Sequence, residues 1–272
     1  PIRGTQDELD QLSHTINRFL DLLRDYLDRN REFVANAAHE LRSPLAAIQS
    51  SVEVTLNSDR SVEEYQDMLG EVADQCGHLR ILVNQLLLLA ETDAARFPME
   101  ASTVRFDLVV RKSVEMFAGV AEEQGVDLST DVIEPLTVEG DGGRLRQVIS
   151  NLIDNSLKFT PRGGQVRVTL RRDAAQGQMV LTVADTGDGI SPEDLPHVFE
   201  RFYRGDKSRQ RQDLAHGNGL GLSICQSIVM AHGGTIAVES DLGRGTIFTV
   251  FLPWSAIPGA EPQAAPGFSQ AR

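Results

Sequence analysis

The chain has 272 residues, a hydrophobic share of 41% and a formal net charge of −13, enough length for two folding units of ordinary soluble composition. The acidity excludes a general nucleic-acid binder, which needs a basic face to displace counterions from phosphates. Its two cysteines, Cys76 and Cys225, cannot build the disulfide framework of a small secreted domain and read as core thiols in a reducing compartment.

A helical pattern is already running near the first residue, so the chain reads as a piece of a longer protein, with membrane contact only through upstream segments. From Leu9, the residues Leu12, Ile16, Phe19, Leu23 and Tyr26 recur at steps of three and four, the seam of a coiled coil. After the hydrophilic break Asn57-Ser58-Asp59-Arg60, Ser61 and Glu64 form a capping box that starts a second helix. Its seam is Leu69, Val72, Cys76, Leu79, Val83, Leu86 and Ala90, so the two helices should fold back as an antiparallel hairpin. A lone hairpin leaves an apolar stripe wet, and pairing two chains into a four-helix bundle buries it; a homodimer is expected. The apolar run 81–90 is broken by Asn84 and Gln85 and is too short to cross a bilayer.

The heptads stop near Phe97-Pro98. From about Phe106 helical stretches alternate with β-rich runs, Gln165–Leu170, Met179–Ala184 and Thr246–Leu252, which marks a separate α/β domain. The end, 257–272, is rich in Pro, Ala, Gly and Gln without periodicity, and no fixed structure is expected there.

Three segments carry possible chemistry. In the first helix, His39-Glu40 is followed by Ser43 and Pro44. A zinc-protease helix would need a second histidine where Ser43 stands. Pro44 costs roughly 3 kcal/mol or more inside a helix because it donates no hydrogen bond and crowds the carbonyl of Glu40. A neutral imidazole attacks phosphorus while a neighbouring carboxylate takes or orients its ring proton, and Glu40 is placed for that. In the helix Gly143–Phe159, the residues Arg144, Asn151, Asn155 and Lys158 share a face opposite Leu145, Ile149, Leu152, Ile153 and Leu157. Such a face is either solvated or laid against a nucleotide, with an amide oxygen on Mg²⁺ and lysine beside the phosphates. The third is a pair of glycine-rich segments, Asp185–Ile190 after a strand and Gly217–Ser223 opening a helix. They suit close backbone approach and phosphate at a helix start. Between them run Pro192, Pro196, Phe199, Phe202, Tyr203 and the cations Arg201, Arg204, Lys207, Arg209 and Arg211, either a lid over a nucleotide or a solvated loop. No GxxxxGK[ST] loop is present.

In this order the segments resemble the sensor histidine kinases of two-component systems, from about Gly4 to Pro253. Phe33–Leu45 is similar to the phospho-acceptor box, Asn151–Lys158 to the asparagine box, and Asp185–Ile190 and Gly217–Ser223 to the two glycine boxes. Phe199–Arg204 is similar to the phenylalanine box, Gly243–Thr246 to the last glycine motif, and Asp7-Glu8-Leu9 with Asn17-Arg18-Phe19 to the second helix of a HAMP relay module.

The resemblance implies a helical dimerisation domain forming a dimeric four-helix bundle, followed by an α/β two-layer ATP-binding sandwich of Bergerat type. It implies a HAMP-like fragment at 1–28, the phospho-acceptor domain at 29–97, a linker at 98–105, the catalytic domain at 106–254 and a tail at 255–272. His39 would be phosphorylated from ATP, with Glu40 as general base, and a response regulator's receiver domain would take the phosphoryl group. Asn155 would hold Mg²⁺, and Asn151 and Lys158 would meet the phosphates or their ion. Asp185 would bond the adenine amino group, with Gly187 and Gly189 letting the base lie close. Gly217, Gly219 and Gly221 would shape the lid hinge and the phosphate-facing helix start. The implied location is the cytoplasmic portion of a bacterial inner-membrane protein. Ser43 stands where the family usually has Thr or Asn, the position linked to dephosphorylating the partner. Competing readings are an ATPase machine built on a related sandwich and a coiled-coil adaptor with an inactive pocket.

Overall fold

The computed structural model describes residues 8–57, 60–93, 102–205 and 217–254. The chain divides into two compact units, Pro1–Leu88 and Leu89–Arg272. The tail, the Phe97-Pro98 step and the cations Lys207, Arg209 and Arg211 lie outside the described residues.

The first unit is a helical hairpin of α1 (Glu8–Leu56) and α2 (Val62–Asp93), the latter running across the division. The capping box that starts α2 is formed: Ser61 N donates to Glu64 Oε2 at 2.8 Å and Glu64 N to Ser61 Oγ at 3.2 Å. Pro44 lies inside α1, which continues to Leu56. Partly shielded residues recur at steps of three and four on both helices, Phe33, Ala37, Glu40, Pro44, Ile48, Ser51 and Thr55 on α1 and Met68, Val72, Gln75, Leu79, Leu82 and Leu86 on α2.

The α2 stripe differs from the seam read in the sequence. Val72, Leu79 and Leu86 are shielded, whereas Leu69 is 60% exposed, Val83 42% exposed, and Cys76 and Ala90 are exposed. Cys76 is therefore not a core thiol of the single chain. A bundle helix has two neighbours, so its apolar sector is wider than one seam. Within one chain the hairpin shields one stripe and leaves the adjoining one wet. On α1, Leu12, Ile16, Phe19, Leu23 and Tyr26 are likewise exposed. No helix among the described residues is long and apolar enough to cross a membrane.

The second unit holds β1 (Ser102–Arg105), α3 (Phe106–Gln124), β2 (Asp127–Ile133), β3 (Thr137–Gly140), α4 (Gly142–Phe159), β4 (Gln165–Asp173), β5 (Gln178–Asp185), α5 (Gly221–Ala231), β6 (Thr235–Asp241) and β7 (Gly245–Pro253). A five-stranded sheet runs β2-β4-β5-β7-β6, with β2 parallel to β4 and the other pairs antiparallel. Residues 102–105, assigned to a linker by the sequence reading, form β1 and pair antiparallel with β3. Four residues are too short a run for period-two alternation to stand out.

The core sits between the sheet and a layer of three helices. Along β4, Val166, Val168 and Leu170 are buried and alternate with exposed Arg167 and half-buried Thr169. On α4, Leu145, Val148, Ile149, Leu152, Ile153 and Leu157 are buried, which turns Asn151, Asn155 and Lys158 to the half-exposed side. The buried thiol of Cys225 lies 3.7 Å from the Val148 carbonyl, where α5 packs on α4.

Candidate functional site

His39 is exposed on α1, and Glu40 beside it is partly shielded. Ser43, one turn later and exposed, turns its hydroxyl back to the His39 carbonyl at 3.4 Å. Pro44 brings no amide for the Glu40 carbonyl one turn earlier, so the backbone between His39 and Ser43 is loosened on one side. Among the described residues no group of three or more His, Cys, Asp and Glu could hold a metal ion.

The second unit assembles its polar groups around the end of β5 and along α4. Asp185 is 8% exposed. Its Oδ1 accepts from the backbone N–H of Gly187 at 2.9 Å and of Thr246 at 3.1 Å. Its Oδ2 accepts from Ser156 Oγ at 3.2 Å. Burial pushes the Asp185 carboxyl above its ordinary range, and the two amide bonds and the Ser156 hydroxyl oppose that rise. A buried carboxylate held only by neutral donors is an acceptor prepared for a further donor, such as an exocyclic amine.

The helix bearing the other candidates is fixed at both ends. At its start Asp141 Oδ1 caps the amides of Gly143 and Arg144 at 2.9 and 3.1 Å. Asp141 N donates to Nε2 of buried His232 at 3.0 Å, and His232 Nδ1 lies 2.7 Å from the Ile228 carbonyl. These partners assign a neutral ring protonated at Nδ1. Further along, Asn151 Nδ2 donates to the Gly221 carbonyl at 3.3 Å, tying α4 to the start of α5. Asn151 also bonds the Cys225 thiol, which burial pushes up to about 12, so the thiol stays protonated and inert at neutral pH. Asn151 is thus engaged within the fold. Lys158 pairs with Asp154 at 2.6 Å. Asn155, one turn from Asn151 and half-buried, makes no side-chain hydrogen bond among the described residues.

A neutral amide oxygen without an internal partner fits a cation that arrives on phosphates and needs few protein ligands, as Mg²⁺ does. Asn155 is the residue that would offer it.

The glycines serve the protein's own packing as well as any ligand. A Cβ on Gly187 would stand 2.5 Å from the Phe159 carbonyl oxygen, and one on Gly189, at φ 68°, would strike the Asp241 carbonyl. Gly219, at φ 71°, lies against the backbone of Phe202 and Tyr203, where a Cβ would approach Phe202 C to 2.7 Å. Phe202 N in turn donates to the Gly219 carbonyl at 3.0 Å, and Phe202 itself holds a left-handed φ of 61°. The aromatic segment and the second glycine segment are therefore joined through backbone. Tyr203 extends the anchor, its hydroxyl donating to Asp194 at 2.7 Å. Gly217, at φ 78°, has no neighbour within 4 Å of a would-be Cβ among the described residues, and Gly221 faces Asn151.

Sequence reasoning missed Ser156 and the amide of Thr246 as partners of Asp185. The one signal for Ser156 was a hydroxyl on the apolar side of α4.

The chain matches the family model "Histidine kinase-, DNA gyrase B-, and HSP90-like ATPase" over residues 140–256 and "His Kinase A (phospho-acceptor) domain" over residues 29–95. It is 37% identical over 246 residues to the sensor histidine kinase CusS of Escherichia coli (strain K12), covering 90% of this chain and 50% of that protein. The crystal structure of full-length ShkA in complex with AMPPNP is 29% identical with a TM-score of 0.63, covering 84% of this chain and 46% of that one. Histidine kinase ThkA in complex with response regulator protein TrrA shares the fold at 22% identity and a TM-score of 0.60, over 85% of this chain and 64% of that one. The chain spans about half the length of the curated relatives it matches.

Proposed function

Since the chain belongs to the two-component sensor histidine kinases, we propose that it transfers the γ-phosphoryl group of Mg-ATP to His39 and then to an aspartate on the receiver domain of a response regulator. The observation that carries this reading is Asp185, a buried carboxylate surrounded by neutral donors, in the same chain as an exposed histidine followed by a carboxylate.

Asp185 accepts a hydrogen bond from the adenine amino group. Asn155 offers its amide oxygen to the Mg²⁺ that comes with the nucleotide, and that ion neutralises charge on the phosphates. Lys158 exchanges its partner Asp154 for a phosphate, and Asn151 holds the α5 start, with Gly217, Gly219 and Gly221 as its hinge, against α4. An imidazole nitrogen of His39 attacks the γ-phosphorus, the bond to the β–γ bridging oxygen breaks, and ADP leaves. Glu40 orients the ring and accepts the proton from its other nitrogen. The phosphohistidine then gives its phosphoryl group to the aspartate of the partner.

The protein acts as a homodimer, because the stripe of Leu69, Cys76 and Val83 left exposed on α2 is covered by a second hairpin. The dependence on ATP supports a cytoplasmic position for this part, on the inner face of a bacterial inner-membrane protein. Ser43 supports a weak phosphatase activity on the phosphorylated regulator, weak because its hydroxyl also bonds back to the His39 carbonyl.

The test is labelling with γ-phosphate-labelled ATP. Wild type should acquire an acid-labile, base-stable phosphate, and His39→Gln should acquire none while binding nucleotide as before. Free phosphate without labelled protein would indicate an ATPase, and neither product an adaptor.

A further inference from the structure

We propose that Ser156 is a positioning residue of the base pocket, its hydroxyl donating to Asp185 Oδ2 so that the carboxylate stays ionised and keeps one oxygen turned toward the adenine amino group. The inference rests on the assignment of Asp185 as the adenine acceptor.

The two backbone amides of Gly187 and Thr246 both bond Oδ1. Of the roughly four lone-pair sites of a carboxylate, the two on Oδ1 are therefore committed. Oδ2 has one donor among the described residues, Ser156 Oγ, which leaves one site for a ligand. Ser156 is 1% exposed on the sheet-facing side of α4, so water does not readily replace its hydroxyl. The groups acting on Asp185 come from three elements, the Ser156 hydroxyl on α4, the Gly187 amide in the loop after β5 and the Thr246 amide on β7, and all are neutral. With no cation among the described residues to hold the carboxylate ionised, hydrogen-bond donors oppose the burial that favours its protonated form. Ser156 is the one side-chain donor among them, so it is the one a substitution removes. Its own backbone carbonyl accepts from Thr160 Oγ1 at 2.6 Å, a bond that an alanine would keep.

A non-hydrolysable ATP analogue is titrated against the full chain from mildly acidic to mildly alkaline pH, with wild type, Ser156→Ala, Ser156→Thr and Asp185→Asn. The analogue's own titration cancels in each variant-to-wild-type ratio. Ser156→Ala should bind within about threefold of wild type on the alkaline side and about tenfold more weakly on the acid side, its acid limb displaced upward by about one pH unit. Its rate of His39 labelling at saturating nucleotide should match wild type, so that KM moves and kcat does not. Ser156→Thr, which keeps the hydroxyl, should return the acid limb to the wild-type position. Parallel curves for Ser156→Ala and wild type would overturn the proposal, as would a threonine variant displaced like the alanine one, since packing would then explain the effect. Asp185→Asn binding as tightly as wild type would instead overturn the assignment of Asp185 beneath it.

Discussion

Replacing Asp185 by Asn separates a ligand-binding carboxylate from a structural one. The asparagine oxygen still accepts from Gly187 N and Thr246 N, the two bonds that Oδ1 makes at 2.9 and 3.1 Å. Its amide nitrogen then occupies the Oδ2 position, where the Ser156 hydroxyl rotates to accept rather than donate. The internal network is resatisfied, and the burial that pushes up the Asp185 carboxyl has no charge left to oppose. The nucleotide fares differently, because the adenine amine now meets a donor. Loss of a hydrogen bond to a charged acceptor costs about 1.5–3 kcal/mol, and an unsatisfied donor adds about 1–3 kcal/mol. The sum, at least about 2.5 kcal/mol, is a loss of roughly sixtyfold or more in affinity. Stability follows the opposite trend. A carboxyl whose folded pKa lies above its ordinary value contributes fully below that ordinary value and loses its contribution as pH rises through the folded one. Asn has no such loss, so the variant's stability relative to wild type should rise with pH across that window. Calorimetric titration with ATP and thermal melting over the same pH series provide both readings. An affinity within about threefold of wild type, or a melting temperature that falls in step with affinity, would refute the reasoning.

Asn155→Ala should weaken nucleotide binding in Mg²⁺ by about tenfold, leave binding in chelator unchanged and stop labelling of His39; an unaltered Mg²⁺ dependence would remove Asn155 from the ligand role. Replacing Leu69 and Val83 together by Asp puts unpaired carboxylates on the exposed stripe of α2 that a second hairpin covers and should give a monomeric species, with sedimentation of a stable dimer as the contrary result. For Ser43, loss of label from the phosphorylated partner should be faster with Thr, whose methyl restricts the rotamer, and absent with Ala, while labelling of His39 stays as in wild type; equal decay in all three would show that the hydroxyl has no part in it.

How much of this was legible depended on how far apart the interacting residues lie in the chain. The capping box joins residues three apart, and the helical periodicities repeat every few residues, so both could be read directly and both are formed. The surroundings of Asp185 could not be read that way. Its donors Ser156 and Thr246 are 29 and 61 residues distant, brought together only when β5 pairs with β7 and α4 lies across them. The α2 seam was half legible for a related reason. Three-four spacing identifies an apolar sector, yet which edge of that sector one chain covers depends on the second helix, and the spacing is silent about it.

The glycines carry the same distinction to the site itself. A glycine-rich segment after a strand suggests close approach by a ligand, but at Gly187 and Gly189 the atoms that exclude a Cβ are the carbonyls of Phe159 and Asp241. These contacts tie the loop after β5 to the end of α4 and to the β6–β7 turn, whose Gly243 N also donates to the Asp188 carbonyl at 2.8 Å. The same loop supplies the Gly187 amide that fixes Asp185 Oδ1. Any side chain at position 187 or 189 would therefore displace the loop and release one of the two amides that orient the carboxylate, whether or not it touched a nucleotide. The glycines that look like a ligand's clearance are equally the means by which the fold aims its base acceptor.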